Sequence, residues 1–246
     1  MIDAHPHLLQ RSYALRYDVY CLERGFLQAD NYPDALETDC YDPYSLHFGV
    51  TNDYDELAGT VRLVRPSLVG LPMYDCCKLF PDELEKISQI KNIAEISRLA
   101  ISRRYHRRLG DGPYAVRGAE TFGDPEPDHE RRRREDDERR QHVPLVVSLY
   151  KAMYQACKRN GITHLLAATE RSLQRLLTVY HFPFRAIGPQ VDYFGPVTPY
   201  ILDLAELDAN LIRYNSPILK EFLSDLEPEH WPAGVRDGWH DDSNFA

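Results

Sequence analysis

Two charged residues interrupt an otherwise apolar run. In AEISRLAI, residues 94–101, Ile96, Leu99 and Ile101 suit a buried strand, yet Glu95 and Arg98 sit among them. Charged side chains are rarely buried unless paired. A carboxylate there could take a proton, and a guanidinium could fix an anion. Three residues apart, they face opposite sides of a regular strand, and a bulge would bring them to the same side. His47, in SLHFGV, is a rival base because imidazole titrates near neutrality, although a half-exposed strand histidine is the plainer reading. Ser97 has no His–Asp arrangement nearby and is not read as a nucleophile. The cysteines (Cys21, Cys40, Cys76, Cys77 and Cys157) are odd in number and form no C-x-x-C. Reduced thiols are expected, without a disulfide framework, and no metal.

The elements that must position these residues follow from periodicity. Residues 8–24 have apolar or aromatic side chains on one helical face, with Gly25 as a stop. Residues 26–44 read as a long loop closing into a short strand near Asp39. SLHFGVT (45–51) and LAGTVRLVRP (57–66) read as an antiparallel hairpin. A helical pattern with Pro81 near its start lies within 72–91, before the strand at 93–102. From 103 to 142 the chain is polar and charged, with Arg131–Arg134 beside Glu135–Glu138, and reads as a solvated insertion. A helix over 143–160 ending at Gly161, a buried strand at 162–169 and a helix at 171–182 follow. Residues 185–207 read as strand, turn and longer strand. A helix over 216–227 opens with Ser216 as cap and Pro217 inside it. The tail from 228 to 246 reads as loosely ordered. The alternation implies one α/β or α+β domain over 1–246, a mixed sheet with helices on both faces.

Composition narrows the class. The 246 residues are 43% hydrophobic and 27% charged, as in ordinary globular domains. No apolar run approaches the roughly 20 residues of a membrane span, and no signal peptide is recognisable. A cytoplasmic protein is expected, with peripheral membrane contact left open. A net charge of −9 argues against nucleic-acid binding. The Arg131–Arg134 block has no interleaved aromatics to change that.

Across residues 16–101 an ordered set of motifs resembles the acyl-homoserine-lactone (autoinducer) synthases of the GNAT (N-acetyltransferase) superfamily. It comprises Arg16, Tyr20 and Phe26; Asp39 and Asp42 as D-x-x-D; Gly59-Thr60-Val61-Arg62-Leu63 with Pro66; Phe80; and Glu95-Ile96-Ser97-Arg98-Leu99. Phe26 stands where the signalling enzymes usually carry Trp. The opening R-x-x-V-Y-C-x-E-x-G-F at Arg16–Phe26 is more similar to acyltransferases associated with PEP-CTERM/exosortase systems, and the polar insertion also fits long-chain N-acyl amino acid synthases.

The resemblance implies a GNAT fold in which two parallel strands, 93–102 and 162–169, splay around a pantetheine arm. It implies an N-acyltransferase moving a fatty acyl group from a phosphopantetheine thioester, with no bound cofactor, to a small amine acceptor such as an amino acid. In the signalling branch that acceptor is S-adenosylmethionine. It further implies a polar network joining Glu95 and Arg98 to Arg16, Asp39, Asp42 and Arg62. Glu95 would deprotonate the amine, Asp39 and Asp42 would meet its ammonium form, and Arg62 and Arg98 would fix those carboxylates. Arg16, Tyr20, Phe26, Arg62, Phe80 and His47 would shape the substrate pocket. RRLGDG (107–112) has the letters of a CoA-binding turn but no helix directly after it, so an acyl carrier protein is the expected donor. Arg103, Arg104, Arg107 and Arg108 would dock that acidic partner. A non-catalytic module sensing acyl-carrier or acyl-lipid ligands is the alternative.

Overall fold

A computed structural model describes residues 1–52, 55–102 and 145–236. The expected insertion and the four arginines Arg103, Arg104, Arg107 and Arg108 lie outside them.

The hairpin forms as its β-rich text requires. β1 (Ser45–Thr51) pairs antiparallel with β2 (Leu57–Val64), and β2 with β3 (Ile93–Ile101). β3 runs parallel to β4 (His164–Thr169). β4 pairs antiparallel with β7 (Pro196–Asp203), which also carries the two-residue strands β5 (Arg185–Ala186) and β6 (Val191–Asp192). The strand order is β1-β2-β3-β4-β7-β5.

Every residue of β2 is buried, so both sheet faces must be covered. Val61 and Leu63 join a cluster built largely by helices α4 (Leu145–Arg159), α5 (Arg171–Val179), α6 (Leu204–Arg213) and α7 (Leu219–Leu223). Val64 points the other way, to a cluster holding Met73 of α2 (Met73–Cys76) and Ile87 of α3 (Pro81–Ser88). Leu15 of α1 (Pro6–Tyr17) packs with Leu57 and Ala100. Helices on both faces of a mixed sheet are the architecture the sequence implied. Among the described residues no helix is long and apolar enough to cross a membrane.

Several boundaries differ from expectation. No strand forms near Asp39: the segment makes single 3-10 turns at Ala29–Asn31 and Asp42–Tyr44, because its carboxylates bond to buried arginines rather than to a strand neighbour. The long strand expected to reach 207 stops at Asp203, whose side chain caps α6 by accepting from the Ala205 N–H at 2.8 Å. The expected helix over 216–227 shrinks to Leu219–Leu223, and the Ser216 hydroxyl is buried with no partner among the described residues instead of capping it. The tail packs as far as α8 (Ala233–Arg236), with Val235 in the core. The first helix begins at Pro6 and continues past Tyr17 as a wide π-helical turn, Asp18–Glu23, before Gly25 at φ +62°.

Candidate active site

The two central strands part company inside the sheet. β3 and β4 pair only over Ile93–Ile96 and His164–Ala167, while β3 runs on to Ile101 and β4 to Thr169. The opening forms a cleft of about 1100 Å³, counting the part open to solvent. Glu95 to Leu99 line one wall and Ala168 to Glu170 the other, with Tyr150 and Leu173 contributed by the helices behind. Beyond Ile96, the edge of β3 that faced β4 has no strand partner among the described residues.

A bulge sits in this stretch of β3. Between the pairs Arg62–Ser97 and Thr60–Ala100, β2 supplies one residue, Val61, and β3 supplies two, Arg98 and Leu99. Arg98 adopts φ +52°, a left-handed conformation costly for any side chain. The bulge resets the alternation, and both Glu95 and Arg98 line the cleft.

Their partners are different, however. Arg98 Nε donates to both oxygens of Glu37 at 3.1 and 3.2 Å, and its Nη2 lies 2.9 Å from Asp39. Arg16 donates from Nε to Glu37 at 2.5 Å and from Nη1 and Nη2 to Asp42 at 2.7 and 3.1 Å. Arg62 donates to Asp39 at 2.5 and 3.0 Å, to Asp42 at 2.8 Å, and from Nε to the Ser97 hydroxyl at 3.0 Å. Each arginine thus bridges two of three carboxylates, closing a ring Arg16–Glu37–Arg98–Asp39–Arg62–Asp42. The expected network is corrected at one place: its third carboxylate is Glu37, fully buried, and not Glu95. Glu37, two residues before Asp39, is the acid of that segment that the motif reading left out.

His47 joins this ring from outside. Its Nε2 is 3.1 Å from Asp42 and its Nδ1 is 2.8 Å from Asp3. It is buried, not half-exposed. Burial alone would lower its pKa, but the two carboxylates outweigh burial and raise it. Burial would likewise raise Asp42. Hydrogen bonds from His47 and Arg16 and the charges of Arg16 and Arg62 instead hold it far below the usual carboxylate range. Asp39 is also lowered, by Arg62 and then Arg98, against the same burial.

Glu95 stands apart. It is 3% exposed and accepts one hydrogen bond, from the Met73 N–H at 2.8 Å. Burial pushes its pKa up to about 8, which that bond and the more distant arginines only partly oppose. A buried carboxyl on a cleft wall, poised near the pH of the cell, has the properties of a general base.

Across the cleft mouth the N-terminal segment meets the β7 side. Tyr20 donates to the Leu99 carbonyl at 2.8 Å, stacks on Phe26, and Phe26 stacks on Phe194 with centroids 6.0 Å apart. Arg24 pairs with Glu170 at 3.2 Å. Phe80 is not in the cleft: its ring is 48% exposed, and its N–H bonds to the Ile187 carbonyl. Periodicity gave no sign of Arg24, Glu170 or Phe194, which converge only through the tertiary fold. The hydroxyls of Tyr150 and Thr169 are buried in the cleft with no partner among the described residues.

A seven-stranded mixed sheet that opens between two parallel strands beside a β-bulge decides the architecture. Residues 15–111 match the family described as "Acetyltransferase (GNAT) domain". The fold is the GNAT fold. Solved GNAT-fold structures resemble it over most of their length. MesI, a CoA-dependent acyl-homoserine lactone synthase, has a TM-score of 0.57 at 16% identity, over 87% of this chain and 91% of that one. FeeM, an N-acyl amino acid synthase from uncultured soil microbes, gives 0.55 at 15%, over 85% and 92%. BjaI, a CoA-dependent acyl-homoserine lactone synthase solved with SAM and isopentyl-CoA, gives 0.53 at 18%, over 88% and 86%. Among curated proteins no sequence matches.

Proposed function

We propose that the chain is an N-acyltransferase that moves a fatty acyl group from a phosphopantetheine thioester to the amine of a small acceptor such as an amino acid. The observation that carries this reading is Glu95, a buried carboxyl with a raised pKa on the wall of a cleft opened by parting strands. In this reading the pantetheine arm lies between β3 and β4. The unpaired edge of β3 and the hydroxyls of Tyr150 and Thr169 meet its amides and the developing oxyanion. Glu95, as carboxylate, takes a proton from the acceptor's ammonium group. The freed amine attacks the thioester carbonyl carbon, the C–S bond breaks, and the sulfur departs as thiolate to be protonated. The ring of arginines and carboxylates holds the 37–42 segment against the sheet, so Asp39, Asp42 and His47 act by positioning. This differs from the expectation that the two aspartates meet the ammonium, because both oxygens of Asp42 and both of Asp39 already accept from arginine. Arg98, 20% exposed, is the arginine of the ring that also lines the cleft and can orient an anionic acceptor.

For the donor we favour an acyl carrier protein over free CoA, on the sequence ground that no helical pattern directly follows RRLGDG. MesI and BjaI are CoA-dependent, so both donors belong in the assay. Purified protein is offered acyl-CoA and acyl-carrier thioesters with a panel of amines, reading thiol release and product mass. Glu95→Gln is expected to lower kcat/KM by at least about 100-fold, the lower range for a general base. Unchanged turnover in that variant removes the assignment of Glu95. Binding of both thioesters by the unaltered protein without any thiol release would favour the ligand-sensing alternative.

A further inference from the structure

The last turn of α2 and the residue after it place two thiols side by side. Cys76 and Cys77 have their sulfurs 3.6 Å apart, within reach of an S–H···S hydrogen bond. Cys76 is half-buried and lines the cleft, whereas Cys77 is buried beneath it. Glu95 lies close enough to both for its charge to bear on their ionisation. No disulfide ties either thiol, and the proposed acyl transfer uses neither.

We infer that Cys76 and Cys77 form a vicinal dithiol that a small peroxide converts reversibly to a disulfide within the cleft wall. Three observations carry this. The sulfurs are neighbours before any movement. One of them opens on the cleft, so a peroxide-sized molecule reaches it. The resolving thiol is already in place, which favours a disulfide over further oxidation of a single sulfur.

The chemistry balances with peroxide as the only oxidant. One thiolate attacks a peroxide oxygen, giving a sulfenic acid and hydroxide, which takes the released proton to become water. The second sulfur then attacks the sulfenic sulfur, forming the S–S bond and expelling a second water. Two thiols and one peroxide become one disulfide and two waters, and a dithiol reductant reverses the step by exchange. Adjacent residues have Cα atoms about 3.8 Å apart, shorter than the 4.4–6.8 Å of most disulfides. Ring closure therefore reshapes the backbone at 76–77. That turn is held by the Cys77 N–H bonding to the Met73 carbonyl at 2.9 Å, and the Met73 N–H in turn donates to Glu95 at 2.8 Å. Oxidation is thereby coupled to the Glu95 carboxyl.

The test does not depend on the acyl-transfer reading. Full-length protein is treated with hydrogen peroxide, unfolded in N-ethylmaleimide and mapped by peptide mass spectrometry. The expected peptide carries residues 76 and 77 two hydrogens lighter and unalkylated, and takes two maleimides after treatment with dithiothreitol. Hydrogen exchange at 73–77 of the folded protein should change on oxidation and revert on reduction. C76S and C77S should each abolish the two-hydrogen loss at 76–77. A sulfinic or sulfonic acid at either position, a disulfide to Cys40 or to another chain, or full alkylation of both thiols would each overturn the proposal. The mapping of unaltered protein decides it even if a variant misfolds.

Discussion

Arg98 holds Glu37 and Asp39 from a backbone conformation that most side chains avoid, so two substitutions separate its two roles. Arg98→Ala and Arg98→Gly both remove the guanidinium and leave Glu37 short of a partner. Each should cost about 3 kcal/mol, the lower end of what breaking a buried ion pair costs. The φ of +52° then splits them. Glycine escapes the roughly 1–2 kcal/mol penalty of the left-handed region but loses somewhat more chain entropy. Arg98→Gly should therefore unfold later than Arg98→Ala, by about 0.5–1 kcal/mol in urea melts. Equal midpoints would mean that the bulge relaxes once the side chain is gone. Glu95 and Arg98 were legible as anomalies because charge in an apolar strand demands an explanation. What each pairs with was not legible, since the Glu37 backbone lies in an irregular segment with no periodicity to fix its direction.

At the level of elements, strands and long helices followed from alternation and from punctuation by Gly25, Pro81 and Gly161. The misread stretches have a common physical cause. The 204–213 segment is apolar enough to pass for a continued strand, and only the Asp203 cap before Glu206 marks the change. The Ser216-Pro217 pair looks like a helix start, but core packing of Ile218 and Leu219 overrides it. Gly188 carries an element-level demand invisible in the sequence. A Cβ there would lie 2.2 Å from the Lys78 carbonyl oxygen and 2.8 Å from Pro199 Cγ. The 78–80 segment crosses at that point, pinned by the Phe80 N–H donating to the Ile187 carbonyl at 2.9 Å. Gly188→Ala should push this crossing outward and destabilise the fold by about 1–3 kcal/mol, as overpacking does. Amide exchange should quicken around Phe80 before it does in β4. Uniform exchange rates would show that the sheet, not the crossing, absorbs the clash.

For the molecule as a whole, the buried charges set opposing pH dependences. Asp39 and Asp42 have lowered pKa values, so the stability they confer is present above the ordinary carboxylate range and is lost as pH falls through their folded values. His47 is raised, so its contribution is full below its unfolded pKa and disappears as pH rises through the folded one. Glu95 works against the fold over a wider window. Its carboxyl ionises near the ordinary glutamate value when unfolded but only at about pH 8 when folded. Between those limits the unfolded state has already lost its proton while the folded state retains it, so stability falls with rising pH by up to about 1.4 kcal/mol per unit from this group alone. Glu95→Gln removes that slope. The stability difference between Glu95→Gln and the unaltered protein should therefore widen in the variant's favour from pH 5 to about 8 and then level off. Any offset from imperfect packing of the amide is constant across the series, so the slope carries the result. In the same window kcat/KM of the unaltered enzyme should climb as Glu95 becomes a carboxylate able to accept a proton. A parallel pair of stability curves would place the folded pKa of Glu95 near its unfolded value, and the proposed base would lose the property that singled it out.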